Sequence, residues 1–344
     1  MRPPEFWNIR EGRDGAPVIR TLLRPLGAIY AWAGRRRQKK TEPIDPGIPV
    51  ICVGNATLGG TGKTPVAIYL LKSLRRMGVN AHGLTRGYGG RLKGPLAVNP
   101  RHTADEVGDE ALLIARTSPV WVSAERDQGA LAAVSEGADA IVMDDGHQNP
   151  KLEKTLSLLV VDAEVGFGNG CVFPAGPLRE PLNDALSRTD VVILMKPSPD
   201  FEIDPYLADQ LSGQTVIPAF LKPKAAPPKG RLYAFAGIGR PNKFFDQLRR
   251  LGADLAEEVP FADHHKFTVS EIEHLFLLAS EQNAALITTE KDYVRLPSGY
   301  RKGVHTFPVT VQFEDELTLQ ERLHPIIRRA SSQPGKTRAS NSNG

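Results

Sequence analysis

The stretch "TLGGTGKTP", residues 57–65, follows an apolar run at 48–53 and precedes a helical pattern over 65–76. A phosphate-binding P-loop asks for Gly, four residues, then Gly-Lys-Ser/Thr, between a strand and a helix. Gly62-Lys63-Thr64 supplies the end of that pattern, and Thr57 stands where the leading Gly belongs. Gly59 and Gly60 still allow close backbone approach. The backbone from Thr57 through Leu58, Gly59, Gly60, Thr61 and Gly62 is expected to cradle phosphates at the helix N-terminus. Lys63 would reach the β/γ oxygens and Thr64 would ligate magnesium. Pro65 falls in the first helical turn, where a missing N–H costs little. A chance GKT in a glycine-rich turn is the bland alternative, and the flanking strand and helix argue against it.

Working outward, "ADAIVMDDGHQ" (138–148) reads as an apolar strand ending in two carboxylates, Asp144 and Asp145. Alone this would be a strand and a polar turn. Beside a P-loop, an acid at a strand end can hold the metal or its water shell. Further strands are expected at 79–84, 120–123, 140–143, 156–161 and 191–195, with helical patterns between several of them, for example at 106–116. That rhythm predicts an α/β fold, a P-loop NTPase-like and mostly parallel sheet covered by helices.

The Pro- and Lys-rich "LKPKAAPPKG" (221–230) reads as an inter-domain connection. The expected organisation is an N-terminal segment (1–47), a nucleotide-binding core (48–225), a smaller α/β domain closing a cleft (226–330) and a polar, disordered tail (331–344). Strands of the smaller domain are expected in "RLYAFAGIG", "NAALITTEKD" and "GVHTFPVT".

Composition narrows the class. The 344 residues are 41% hydrophobic and 24% charged, ordinary for a globular protein with ample core. Two cysteines, Cys52 and Cys171, suggest neither a disulfide framework nor a zinc site. No run of about 18 apolar residues predicts a transmembrane helix, and no signal peptide is read at the N-terminus. Residues 1–47 hold ten Arg or Lys against five Asp or Glu, so the net +4 originates there. Within them, "VIRTLLRPLGAIYAWAGRRRQKK" (18–40) spaces apolar residues as an amphipathic helix and ends in a basic cluster. Such a helix suits an anionic membrane surface. It equally suits docking on the protein's own core, and spacing alone favours docking. No nucleic-acid module accompanies the basic cluster. A guanine-reading Asn/Thr-Lys-x-Asp loop is also missing, since Thr289-Glu290-Lys291-Asp292 places its lysine one position late.

The chain resembles the tetraacyldisaccharide 4′-kinases, which phosphorylate the lipid A precursor of Gram-negative bacteria. The resemblance covers nearly the whole length. It rests on "VGNATLGGTGKTP" (53–65), "TRGYGG" (85–90), "VGDE" (107–110), "DDGHQN" (144–149), "FPAGPLREP" (173–181), "FAGIGRP" (235–241), "FADHH" (261–265) and "TTEKDYVR" (288–295). The family shares the Thr at the first P-loop position. It differs in usually having Ser where Thr85 stands, and commonly an aromatic or aliphatic residue and then His where His147 and Asn149 stand.

The resemblance implies ATP and Mg²⁺, an acylated disaccharide-1-phosphate lipid as acceptor, and a peripheral position on the cytoplasmic face of the inner membrane. No obligate protein partner is implied. It places Lys63 and Thr64 at the nucleotide and magnesium, and Asp145, Glu180 and Asp144 around the metal. Asp109 matches the general base, working with Asp263 and His264 from the second domain. Arg86, Tyr88, Arg126 and Arg179 fall at functional basic and polar positions, with Glu110, Gln148 and Asn149 nearby. Without the resemblance, Asp109 reads as an acid favoured by a helix N-terminus, and His264-His265 as a polar loop. The rival readings are a P-loop NTPase serving as a hydrolytic switch or metallochaperone, and a non-catalytic membrane-associated nucleotide sensor.

Overall fold

In the computed structural model, which describes residues 4–331, the apolar run ahead of the glycine-rich loop forms β1 (Val50–Gly54), every residue buried. The strands that follow are β2 (Ala81–Thr85), β3 (Leu96–Ala97), β4 (Val120–Val122), β5 (Ala140–Asp144), β6 (Leu156–Asp162), β7 (Val191–Lys196) and β8 (Val216–Pro223). Then come β9 (Arg231–Ala236), β10 (Asp254–Pro260), β11 (Ala285–Thr289), β12 (Val304–Phe307) and β13 (Val309–Phe313). They build a nine-stranded sheet, ordered β13-β8-β7-β6-β1-β5-β2-β4-β3, and a four-stranded sheet, β10-β9-β11-β12.

The large sheet is parallel except at its two edges, where β13 and β3 run antiparallel to their neighbours. Burial on both faces explains why β1, β5, β6 and β7 read as continuous apolar runs rather than alternating ones. After β1 the chain fills one side of it (β2, β4, β5) and then the other (β6, β7, β8). Such a reversal opens a crevice at the carboxyl ends of the central strands, and the glycine-rich loop sits there. Val66, Ala67, Leu70, Leu71 and Leu74 of the helix Lys63–Arg76 pack on Ile51 and Val53.

Four expectations need correction. The helix expected at 106–116 is two, Ala104–Val107 and Asp109–Ala115, because Gly108 between them takes φ 85°. That left-handed backbone favours glycine, and it makes Asp109 the first residue of a helix. "GVHTFPVT" is not one strand. Pro308 has no N–H to continue a ladder, so β12 closes the small sheet before it and β13 pairs with β8 of the large sheet after it. Residues expected to end the smaller domain therefore return to the larger one. The helix Glu316–Ser331 follows them, burying Leu319, Leu323 and Ile326 in the large sheet's core. β8 runs into the Pro- and Lys-rich stretch read as a connection, leaving a shorter link before β9. The tail expected to be disordered lies outside the described residues except for Ser331, which ends that helix.

The N-terminal pattern forms the helix Pro17–Lys40. It docks through Gly27, where a Cβ would meet Val172 O at 2.9 Å, and through Tyr30, whose ring lies 5.6 Å from that of Phe173. Val18, Leu22, Leu26, Ile29 and Trp32 remain exposed, Leu22 by 71%. One face of the helix is therefore docked on the protein, and another leaves apolar side chains exposed. No helix among the described residues is long and apolar enough to cross a membrane.

Candidate active site

The P-loop is shaped from beneath by Asn55, fully buried at the end of β1. Its side-chain amide donates to Thr57 O at 2.7 Å and to Gly59 O at 3.4 Å. Its Oδ1 accepts from Lys63 Nζ at 3.1 Å. Gly59 and Gly62 take positive φ, 121° and 90°. Leu58 N donates to Pro177 O at 2.8 Å, so the loop over 171–178 buttresses the cradle from outside. Thr61 is buried with its hydroxyl unpartnered, and Gly60 is open to solvent.

The two strand-end carboxylates have different surroundings. Asp144 is fully buried and its Oδ2 accepts from Thr64 Oγ1 at 2.9 Å. Its Oδ1 is buried with no hydrogen-bond partner. Burial, and then the charge of Glu110, push the Asp144 carboxyl up from the usual range against the pull of Lys63. Asp145 takes a left-handed φ of 54° and turns to Arg179, whose Nη1 donates to both its oxygens at 2.9 and 3.1 Å. Burial raises Asp145, but Lys63 (3.5 Å away) and Arg179 outweigh it and hold the carboxyl at about 2.

These residues fit a magnesium ion bound with nucleotide. Mg²⁺ takes one or two carboxylates and fills its other positions from phosphates and water. No group of three or more His, Cys, Asp or Glu able to hold a metal occurs among the described residues. A buried carboxylate oxygen without a partner beside a threonine hydroxyl meets that smaller demand. Glu180 is instead occupied by Gln148 Nε2 at 2.9 Å and by Arg188. Gln148 also donates to Asn55 O at 2.9 Å, linking the acid to the P-loop's base. Asn149 is turned away, its Oδ1 accepting from Lys151 N at 2.9 Å. His147 is fully buried with Nε2 3.0 Å from Ala185 O, so it packs rather than faces the crevice.

Arg126 is buried and donates to Ser123 O, with its Nε unpartnered. Burial, and next the charge of Arg86, lower its guanidinium to about 10. Two neighbouring cations, one with an unused buried donor, suit a phosphate oxygen. Arg86 is exposed.

Across the crevice the small sheet approaches closely. A Cβ on Gly239 would lie 3.4 Å from Gly60 N and 3.3 Å from Asp263 Oδ2. His264, at a left-handed φ of 56°, places Nδ1 3.1 Å from Asp109 Oδ2. Asp263 stands 3.8 Å from His264 Nε2, beyond hydrogen-bond reach. The Tyr88 ring, exposed, lies edge-on to the imidazole at 5.0 Å. Of the two second-domain residues expected to work with Asp109, His264 contacts it and Asp263 does not.

Two partners of the Asp109–His264 pair escaped the sequence reading. Arg295 donates from Nε to Asp109 Oδ2 at 2.6 Å. Lys291 Nζ lies 3.2 Å from Glu110 Oε1 and 3.4 Å from His264 Nε2. Burial alone would raise Asp109, but the hydrogen bond from His264 and the charges of Lys291 and Arg295 hold it well below the usual carboxylate range. The quoted "TTEKDYVR" contains both cations, but nothing local shows that they point at residue 109.

A strand, a P-loop, a helix, and an acid on the neighbouring parallel strand define a P-loop nucleotide-binding enzyme, here with a second lobe bringing an imidazole to a buried acid of the first. The comparisons narrow that class. Residues 19–328 match the family model for tetraacyldisaccharide-1-P 4′-kinase, and the chain belongs to that family. It is 46% identical over 334 residues to the tetraacyldisaccharide 4′-kinase of Hyphomonas neptunium, covering 96% of this chain and 99% of that one. With that of Caulobacter sp. (strain K31) it is 48% identical over 332 residues, covering 95% and 99%. Among solved structures it resembles LpxK from Aquifex aeolicus in complex with ATP. There the TM-score is 0.72 and the identity 27%, covering 90% of this chain and 99% of that one.

Proposed function

We infer that this chain is a tetraacyldisaccharide 4′-kinase, an ATP-dependent phosphotransferase of lipid A biosynthesis acting on the 4′-hydroxyl of a tetraacyldisaccharide 1-phosphate. The observation that carries the reading is the meeting of two halves at one crevice. The P-loop with Lys63 and Thr64 lies on one side, and the Asp109–His264 pair on the other.

Phosphoryl transfer asks a protein for positioning and charge neutralisation. The backbone of 57–62 and Lys63 hold the phosphates of ATP. Thr64 and Asp144 would hold magnesium, which when bound would supply charge neutralisation at the phosphates. Arg126 and Arg86 receive phosphate oxygens, while Arg179 keeps Asp145 turned beneath Lys63. The attacking hydroxyl must give up a proton. Asp109 has an exposure of only 3% and both its oxygens are engaged, by His264 and Arg295 at Oδ2 and by Glu110 N at Oδ1. His264 is 26% exposed at its side chain, so the imidazole is the part of the pair a sugar can reach. This reverses the weighting from sequence, with Asp109 orienting Nδ1 and His264 Nε2 accepting the proton. Tyr88 beside the imidazole supports a role at the sugar.

The acceptor's acyl chains hold it in the bilayer, at about 0.8 kcal/mol for each buried methylene. The exposed apolar face of the helix Pro17–Lys40 and its basic end support peripheral binding to an anionic inner-membrane surface, with ATP arriving from the cytoplasm. The test is incubation with ATP, magnesium and the disaccharide-1-phosphate lipid, followed by mass spectrometry. One added phosphate is expected. Brisk ATP hydrolysis with no phosphorylated lipid would instead favour a hydrolytic switch.

A further inference from the structure

Besides His264, one side chain of the small lobe bonds Asp109 from the far side. Arg295 follows the short helix Glu290–Tyr293, and its side chain is only 5% exposed. Its Nη1 donates to Asp292 Oδ1 at 2.9 Å and to Gly237 O at 2.7 Å. Nε donates to Asp109 Oδ2 at 2.6 Å, and Nη2 pairs with the same oxygen. The planar guanidinium thus spans three partners in fixed directions, which a lysine cannot do.

Those partners connect to the imidazole on every side. Gly237 O also accepts from the backbone N–H of His264 at 3.0 Å, so Arg295 and His264 share one carbonyl. Gly237 N in turn donates to Asp292 Oδ1 at 3.0 Å. Asp292 is fully buried and receives Thr289 Oγ1 at 2.6 Å, which anchors the arginine from behind. The chain beyond is tied down as well, since Arg301 donates to Val294 O at 2.8 Å and Leu296 O at 3.0 Å. Lys291, Glu110 and Asp263 are the other charged groups around the pair; of these only Glu110 bonds Asp109, and it does so through its backbone N–H.

We propose that Arg295 is a positioning residue for the transfer step, fixing the buried Asp109 carboxylate so that it orients His264 toward the acceptor hydroxyl. The proposal rests on the kinase reading above. Two consequences follow from the geometry. A carboxylate this deeply buried needs a paired cation to stay ionised, and Arg295 is the cation in contact with it. Because Asp109 belongs to the large lobe and Arg295 and His264 to the small one, the guanidinium also sets how the two lobes meet at the pair.

The test is a double-mutant cycle on the full-length chain, reading single-turnover transfer to the lipid disaccharide together with ATP affinity and melting temperature. The parent and His264→Ala are measured alongside Arg295→Met and the double variant. Arg295→Met is expected to slow transfer by about 10²-fold with ATP affinity unchanged. In the His264→Ala background the same change should cost less than about threefold, since residues acting as a unit are non-additive. Arg295→Lys, which keeps a cation but not the three-way fork, should recover part of the rate and serves in the cycle if Arg295→Met does not fold. Equal losses in both backgrounds, or a loss confined to ATP affinity, would overturn the positioning role. An inactive parent would instead sink the kinase reading on which the proposal stands.

Discussion

His264 Nδ1 and Asp109 Oδ2 lie 3.1 Å apart although 155 residues separate them, and they belong to different lobes of the molecule. Both oxygens of the buried member are engaged, and the exposed member has Nε2 turned toward Lys291 and Asp263. An acid that cannot reach substrate and an imidazole that can are suited to acting as one unit. Asp109→Asn keeps the size but removes the charge that fixes the imidazole. It should lower kcat by about 10²- to 10⁴-fold, as loss of general-base catalysis does. His264→Ala should fall as far, and the double variant no further. Calorimetry should show ATP binding as in the parent. A full-speed Asp109→Asn variant would return Asp109 to a plain helix-terminal acid.

Lys63 and Thr64 are both nine-tenths buried or more and are held by hydrogen bonds to Asn55 and Asp144. The cradle is thus preorganised, and removing either side chain leaves its partner exposed to the phosphates without compensation. Lys63→Ala or Thr64→Ala should reduce turnover by at least about 10²-fold, the scale for losing one preorganised electrostatic contact. Circular dichroism should be unaltered. Asn55→Ala is expected to weaken ATP binding as well, since Asn55 sets both the loop backbone and the lysine. Turnover near the parent's in Lys63→Ala would remove the P-loop assignment.

Legibility in the sequence followed the range of the interactions. The P-loop was readable because its parts are contiguous, a buried strand, two glycines at positive φ and a lysine, all between Val50 and Lys63. Asp144 was readable as the end of an apolar run. What pairs with Asp109 was not, because Arg295 lies 186 residues away and its own surroundings look like an ordinary polar turn. The same holds for the domain limit. Pro308 was visible as a break, but only the ladder between β13 and β8 shows that the chain changes sheet there. Family resemblance named Asp109 and His264, and only coordinates could show which of them is exposed.

The proposed membrane binding would draw on two separable features of the helix Pro17–Lys40, its basic end and its exposed apolar face. Arg35 is paired with Asp184 at 2.6 Å, while Arg36 sits over the Trp32 ring at 5.5 Å. The informative changes are therefore Arg36, Arg37 and Lys40 to Glu, which leave the docked face alone. Each basic residue near an anionic surface contributes about 1 kcal/mol, so the triple variant should leave anionic vesicles and the parent's binding should fall with salt. Leu22→Glu with Leu26→Glu should weaken binding at any salt, since they remove apolar insertion. Vesicle sedimentation reads both effects, and unchanged sedimentation of both variants would mean that the helix only docks.

His147 gives a prediction about pH and stability rather than catalysis. The residue is fully buried, and a Cβ on Gly54 would collide with the Cβ and backbone of His147, so β1 and the loop after β5 pack closely at this residue. The carbonyl of Ala185 can only accept, so Nε2 carries the proton and donates at 3.0 Å, while Nδ1 has no partner. Burial, and next the charges of Lys154 and Arg188, push the imidazole down from 6.5 to about 3. The unfolded chain therefore binds a proton here between those values and the folded chain does not. Stability contributed by the neutral ring is full above about 6.5 and is lost as pH falls toward about 3, by roughly 1.4 kcal/mol per pH unit. His147→Phe keeps an aromatic ring and cannot titrate. Urea unfolding at several pH values in that window should show a shallower loss for the variant than for the parent, whatever the offset between them. Parallel curves would mean that the ring is protonated in the fold, and the buried neutral histidine would have to be abandoned.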